Sequence, residues 1–463
     1  MTIEALVPQV RTEFPGPKSR EEMARGALDM QSVYRALVID DAKSQGVFLV
    51  DVDGNVLLDL FANFALGALG YNHEKLASVA KSEAFLHAVV NPTSTPFVTT
   101  PSWFDVLEGL ARFAPRGMGK IYCVDAGGEG VEAALKVCFI AHGEKRRVGA
   151  GQPKSPLELD VAEQARIMDN AGSDAVVVSF AGAFHGRGLG PLSATHSKLM
   201  HKADMPAFPW PTCEFPSSRW PLDRHADENQ AREARSIAEL ERILERHEGK
   251  VAAVLVEPIQ SEGGDRHASP AFFRRVQELA ASAGALLVLD EVQTGVGMTG
   301  SYWAHEQLEL PRPPDLMTFG KKMQMGGFFV TNEHAVTQFG RMYQTKNGDR
   351  ARAMLGLATL ETIERDGLLA NVRDTGAYFL ARLEELATRH PHMTEPRGKG
   401  FLLAFDLPTV QARDEFLKRA MRRGVFASYT GVRSVRLRPH LVTTKRDVDF
   451  AIAAFDAALG ELA

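Results

Sequence analysis

Two apolar runs, Val47–Val52 and Val56–Phe61, flank Asp53-Gly54-Asn55, a turn whose residues accept positive φ, and so predict a hairpin. From about Leu76 the apolar spacing alternates between helical and extended periods. Val131–Ala141 reads as helix, Ala175–Phe180 and Val251–Glu257 as strands, and Ser269–Ala283 as a helix with Ser269 at the N-cap and Pro270 in its first position. The run Ala285–Leu289 ends in Asp290, and the next strand leads into Gly320-Lys321-Lys322. Strands that are apolar throughout, set between helices, predict a mostly parallel sheet covered on both faces.

After Thr345 the pattern restarts: helix Leu368–His390, strand Phe401–Asp406, helix Ala412–Arg423, strand Ser434–Arg438, helix Asp447–Leu462. The chain therefore reads as α/β, with an N-terminal arm and hairpin over 1–75, a large domain over 76–345 and a small α/β domain over 346–463. The polar opening, with Pro15, Gly16 and Pro17, suits an arm lying over another surface. The charged, small-residue stretch Gly143–Ser173 reads as a surface excursion, and Asp223–Glu248 as a solvated helix.

With 463 residues, 45% hydrophobic and 24% charged, the chain can bury one large core or two to three smaller ones, and no segment approaches a membrane-spanning run. A net charge of -5 would attract neither nucleic acid nor an anionic membrane surface. Cys123, Cys138 and Cys213 are too few and too scattered for a disulfide framework or a four-ligand zinc site, which fits a reducing cytoplasm. Residues 1–5 show no basic region before an apolar core, so no secretion signal is expected. Asp51, Asp53 and Gly54 lack the spacing of a calcium loop, and His185 and His196 lack metal-ligand spacing, which leaves them structural or hydrogen-bonding roles. No metal is expected.

The residues that carry chemistry gather at strand ends. A carboxylate at the tip of one buried strand, Asp290, and a lysine at the tip of the next, Lys321, supply what pyridoxal phosphate needs: an anion for the pyridinium nitrogen and an amine for the aldehyde. Val124–Gly130 leads into a helix, and its bare N–H groups could hold a phosphate; alone, the glycines are explained as well by their backbone freedom. In the loop Ala181–Arg187, Phe184 could stack on a pyridine ring and Arg187 could grip a carboxylate, although a packed Phe and a surface Arg explain that loop equally well. Glu262 follows another strand. Convergence decides: four successive strand ends carry Arg187, Glu262, Asp290 with Gln293, and Lys321.

From about Val47 onward the chain resembles the class III, fold type I pyridoxal-phosphate aminotransferases, and within them 4-aminobutyrate aminotransferases of the eukaryotic type, with L-lysine 6-aminotransferases next. The resemblance rests on Phe184–Arg187, Thr195–Lys198 with Phe208–Pro211, Val256–Asp265, Asp290–Gly295, Trp303–Glu306, Met317–Phe329 and Arg436–Pro439. It implies a large mostly parallel-sheet domain, and a small domain built from the N- and C-terminal segments. Lys321, after the small residue Gly320, would form the Schiff base; Asp290 would keep the pyridine nitrogen protonated and Gln293 would bond the ring 3-oxygen. Phe184 would stack on the ring, Gly127 and Gly128 would present N–H groups to the phosphate, and Thr345 would reach the phosphate of the other subunit of a homodimer.

The resemblance also implies a homodimer acting on an ω-amino acid and 2-oxoglutarate. Arg187 would take the distal carboxylate; Arg438 would pair with Glu262 for one substrate and be released to bind the α-carboxylate of the other. The chain departs from the pattern at several places. Ala126 and Glu129 stand where animal 4-aminobutyrate aminotransferases have cluster-binding cysteines, so no iron-sulfur cluster is expected. Gly128 replaces a hydroxyl that would meet the phosphate, Lys346 a tryptophan, and Phe64 a small aliphatic residue over the substrate. A racemase or decarboxylase on the same fold would not consume 2-oxoglutarate, and the pair Arg187 and Arg438 argues against it. A non-catalytic binding protein is disfavoured by Lys321, Asp290, Gln293 and Glu262 occurring together.

Overall fold

The computed structural model describes residues 6–91, 96–169 and 172–462. The chain forms two compact units. The small unit comprises Met1–Leu86, Val296–Tyr302 and Ala358–Ala463, and the large unit His87–Gly295 and Trp303–Leu357. The sequence pattern had set boundaries at 75 and 345 and had not separated out residues 296–302.

The large unit is built on a seven-stranded sheet in the order Lys120–Val124, Gly326–Val330, Leu316–Phe319, Leu286–Asp290, Val251–Val256, Val176–Phe180, Thr212–Cys213. Only Gly326–Val330 runs antiparallel to its neighbours. Every residue of Val251–Val256 is buried, as a central strand covered on both faces requires. The helix Gly127–Gly149 lays Val131, Ala134, Leu135 and Cys138 on Ala253, Leu255, Val288 and Leu316. Gly130 permits the close approach: a Cβ there would lie 2.8 Å from the backbone of Gly327. The helix Pro270–Ser282 starts as expected, with Ser269 Oγ accepting from Phe272 N at 3.3 Å and Pro270 in the first turn.

Two expectations need correction. The surface excursion does not begin at Gly143, because the helix runs on to Gly149; one glycine costs about 1 kcal/mol there, and the strong helix formers Glu144, Lys145, Arg146 and Arg147 follow it. A shorter helix, Val161–Met168, comes next. The helix Ala226–Arg246 is not simply solvated: Ser236, Leu240, Ile243 and Leu244 make a buried stripe at helical spacing.

In the small unit the hairpin Phe48–Val50 and Val56–Asp59 pairs Val50 with Val56, and Val425–Phe426 adds parallel to the second strand, which ties the N-terminal and C-terminal segments into one body. Asp53 of its turn also caps the helix Pro17–Arg25, accepting from Lys18 N at 2.8 Å and Ser19 N at 2.9 Å. A second, antiparallel sheet runs Thr394–Lys399, Leu402–Asp406, Ser434–Leu437, Ser428–Thr430. Leu383, Phe405, Phe416, Val435 and Phe455 fill the core between this sheet and the helices Leu368–Arg389, Val410–Arg422 and Lys445–Gly460.

Candidate active site

Asp290 closes the strand Leu286–Asp290 and is 4% exposed. Three donors fix its carboxylate: His185 Nδ1 lies 2.8 Å from Oδ2, and Thr318 Oγ1 and Val292 N each lie 3.0 Å from Oδ1. Facing a carboxylate, Nδ1 is the protonated ring nitrogen. His185 comes from the loop after Val176–Phe180, and Thr318 from the adjacent strand. A carboxylate oriented this way, shielded from water, can hold a proton on a pyridine nitrogen.

A second carboxylate is sunk beside it. Glu257 accepts from Phe184 N at 2.9 Å and from Ser261 N at 3.2 Å. Burial, and then the charge of Asp290, pushes its carboxyl well above the ordinary range, against the pull of those two N–H groups and of Lys321. Glu257 thereby joins the loop that carries Phe184 to the loop that carries Glu262.

The neighbouring lysines Lys321 and Lys322 are set apart by a tight turn. Gly320 is extended, and Lys321 takes φ +49°, a left-handed conformation uncommon for a side-chain-bearing residue and typical of functional sites. Lys322 is wholly buried and its ammonium donates to Gln293 O at 2.9 Å. Lys321 is half-buried, and its charge acts on Glu257. Lys322 therefore has a structural anchor, and Lys321 is the amine on the side of the carboxylates.

The long helix starting at Gly127 opens behind Ala126, with no side chain capping its first turn. A Cβ on Gly127 would meet Val292 at 2.6 Å, and one on Gly320 would meet Gly127 Cα at 3.0 Å, so the helix start is wedged against the Asp290 and Lys321 loops. Gly128 faces Gly186, where a Cβ would find ordinary contact at 3.7 Å. Bare N–H groups and the positive end of a helix dipole, next to a buried carboxylate and an amine, fit the phosphate, ring nitrogen and aldehyde of pyridoxal phosphate.

Farther out, Arg187 is exposed and Phe184 is half-buried, its ring edge-on to His201 at 5.2 Å. Glu262 Oε1 lies 2.5 Å from Lys198 Nζ, and both side chains are largely buried. Burial lowers the pKa of His201, with Arg187 and Lys198 adding to the effect and Glu262 opposing it, so these charges share one neighbourhood. His196 accepts its expected hydrogen-bonding role: its Nε2 lies 3.1 Å from Ser179 Oγ and 3.0 Å from Thr212 Oγ1, and burial, Lys202 and His185 depress it to about 4. Thr345 is exposed, beside Lys346, which pairs with Asp125 at 3.1 Å.

Phe64 and Arg438 belong to the small unit. Phe64 sits in a left-handed turn, Ala62–Ala65, whose four residues all have positive φ, from 43° to 62°. Asp59 holds the start of that turn, accepting from Phe61 N at 2.8 Å and Ala62 N at 2.9 Å, and the Arg436 guanidinium lies over the Phe64 ring at 4.7 Å. Arg438 is fully buried and donates to Leu437 O at 2.9 Å.

Reading the sequence missed His185 as the clamp on Asp290, Glu257 as the link between loops, and Lys198 as a partner of Glu262. All three lie inside or beside segments that already carried the family resemblance; what was hidden was their pairing. Among the described residues no group of three or more potential metal ligands gathers, and no helix is long and apolar enough to cross a membrane.

Comparison with known proteins gives the family. The family model for aminotransferase class III matches residues 30–459. A 4-aminobutyrate aminotransferase of Emericella nidulans is 37% identical, over 99% of this chain and 92% of that one. The mitochondrial 4-aminobutyrate aminotransferase of Mus musculus is 36% identical, over 98% of this chain and 91% of its own length. Among solved structures, lysine aminotransferase from M. tuberculosis in the internal aldimine form superposes with a TM-score of 0.85 at 32% identity, covering 96% of this chain and all of that one. With buried Asp290, Lys321 and an uncapped helix start in one place, and with relatives matching from end to end, the chain belongs to the class III, pyridoxal-phosphate-dependent aminotransferases of fold type I.

Proposed function

We propose that this enzyme moves the terminal amine of an ω-amino acid of the 4-aminobutyrate type to 2-oxoglutarate, giving a semialdehyde and glutamate. The observation that carries the reading is the charge cluster at the substrate end, where an exposed Arg187 stands near a Glu262 that already has a cationic partner. A substrate with a free amine at one end and a carboxylate at the other needs an anchoring cation and no second anion site. An α-amino acid needs both.

Bound pyridoxal phosphate supplies an aldehyde and an electron-withdrawing ring. Asp290, clamped by His185 and Thr318, would hold the ring nitrogen protonated, and Gln293 would bond the 3-oxygen. Gly127 and Gly128 would give N–H groups to the phosphate, and Phe184 would cover the ring face. Lys321 would hold the aldehyde in the resting enzyme, and its amine is placed to act as the base and acid that carries the proton from and to the amine-bearing carbon. Arg187 takes the distal carboxylate. For Arg438 we propose the α-carboxylate of glutamate, with Glu262 as the acid that neutralises it otherwise, and for Phe64 a part in limiting the size of the donor.

A homodimer is proposed, with Thr345 of one subunit serving the phosphate of the other. On the large unit Val89, Val90, Phe97, Phe339 and Tyr343 expose apolar surface, with Phe97 edge-on to Tyr343 at 4.8 Å, and surface of this kind favours association. The three cysteines are free and buried, in keeping with the reducing cytoplasm proposed as the location.

The test is spectroscopic. The purified protein should be yellow, bleach with 4-aminobutyrate alone, and regain its colour with 2-oxoglutarate. L-lysine is the second donor to assay, because the lysine aminotransferase fold superposes over nearly the whole chain. Bleaching by lysine and not by 4-aminobutyrate would replace the first reading with the second.

A further inference from the structure

The loops after Phe180 and Val256 have a second side. A cavity of about 400 Å³ opens there, bounded by Ala181, the segment Glu214–Ser217, and the helix Ala226–Arg246. Three guanidiniums line it, Arg232 and Arg235 from the helix and Arg266 from the loop, against one acid, Glu214. Arg232 is held in place by Glu228 at 2.8 Å and by Ser217 O at 3.3 Å. Arg235 is exposed and has no ion-pair partner among the described residues. The volume lies within the roughly 300–1,000 Å³ of small-molecule sites, but the lining is charged where most such sites are apolar. Guanidinium forks recognise carboxylates and phosphates, so the matching ligand is anionic at more than one point.

We propose that this cavity binds a compact organic polyanion, a molecule with at least two carboxylate or phosphate groups. Its position ties it to the loop that carries Glu262. Arg266 and Gln260 exchange two backbone hydrogen bonds, at 3.0 and 3.1 Å, and so close the base of the loop through Ser261 and Glu262. Gly263 lies so near Gly182 that a Cβ would meet the Gly182 carbonyl oxygen at 2.3 Å, and a Cβ on Gly182 would meet the Arg266 guanidinium at 2.8 Å. An anion drawn onto Arg266 therefore stiffens the 260–266 loop and, through Gly182, the loop leading to Phe184.

The experiment uses the yellow holoenzyme, so that its phosphate cup is filled, with citrate and inorganic pyrophosphate as probes at an ionic strength held constant with sodium chloride. Calorimetry should show saturable binding of one probe molecule per chain, weakened at least tenfold by Arg235→Ala and partly restored by Arg235→Lys, with colour unchanged. Preference for citrate or for pyrophosphate names the carboxylate or the phosphate class. Amide hydrogen exchange in 260–266 should slow on binding. Uptake that never saturates, equal affinity in wild type, Arg235→Ala and Arg266→Gln, or displacement of the yellow cofactor by the probe would each overturn the proposal.

Discussion

The surroundings of Asp290 and those of Arg187 and Glu262, both in the large unit, are built on opposite principles. At Asp290 every contact is short, buried and made by groups with few alternatives: a histidine ring, a threonine hydroxyl and a backbone N–H. Around Arg187, Lys198 and Glu262 the groups are long, flexible and ionic: Lys198 and Glu262 pair with each other, and Arg187 is exposed in the same neighbourhood. The difference matches the tasks. In the proposed function Asp290 serves the same ring nitrogen in both half-reactions, so a fixed anion suits it, whereas two substrates of different charge pattern would meet Arg187 and Glu262 in turn. On that proposal, fixed partners would serve catalysis and exchangeable ones dual specificity.

Lys321 tests the fixed end most severely. Lys321→Ala should lower single-turnover bleaching by about 10³-fold or more, within the range for loss of a positioned general base. Lys322→Ala should keep the absorbance of the bound cofactor and instead lower the melting temperature, since it leaves the Gln293 carbonyl without its buried donor. If Lys322→Ala abolished the chromophore and Lys321→Ala did not, the separation of the two lysines would be wrong.

Next comes the clamp. Asp290→Asn removes the charge and should slow the half-reactions by roughly 10²- to 10³-fold, the range for loss of one preorganised electrostatic contact. His185→Ala leaves the charge but loosens it, so a smaller loss of about 10- to 100-fold is expected, the worth of a hydrogen bond to an ionised group. Its signature is a shift in the pH dependence of the cofactor absorbance, which a merely structural histidine would not produce.

The exchangeable end should respond unevenly. Glu262→Ala should slow the half-reaction with the ω-amine far more than that with glutamate, because in the proposed exchange only the former calls for the second cation to be neutralised. Equal losses in the two single-turnover rates would remove the exchange and with it the contrast drawn above.

The fixed end was legible in the sequence and the exchangeable end only in outline. Asp290 and Lys321 each stand at the end of an apolar run, so short-range pattern and elementary cofactor chemistry are enough to single them out. Lys198 and Glu262 are 64 positions apart and His185 and Asp290 are 105 apart; such pairs come together only through the parallel sheet and leave no periodic trace. The left-handed turn Ala62–Ala65 was invisible for another reason. Alanine and phenylalanine disfavour that conformation, and only Asn63 enters it readily, so the local preference opposes the structure.

Glu257 offers a pH test of the same contrast. Its folded-state pKa is raised, chiefly by burial, so the folded protein holds a proton that the unfolded chain has released. The group's favourable contribution is therefore complete below the ordinary carboxylate range and is lost as pH rises toward the folded value. The melting temperature of the wild type should fall relative to Glu257→Gln as pH increases from 5 upward, even if the variant starts lower through losing one backbone acceptor. A constant difference across that span would mean that Glu257 is ionised in the fold, with Asp290 and Glu257 charged side by side.

The smallest expected effect concerns the small unit. Asn63 is exposed and has φ +48°, so its side chain contributes little packing and its role is conformational. Asn63→Val puts a β-branched residue into that conformation and should cost about 1–2 kcal/mol, whereas Asn63→Gly should leave stability unchanged or slightly raised. The cofactor absorbance should stay the same in both. Because Phe64 is the next residue and is held under Arg436, the valine variant should also change the relative rates with short and long ω-amines while the glycine variant should not. Equal stability and equal donor preference in the two variants would mean that the turn does not position Phe64, and that selectivity rests with the charged groups alone.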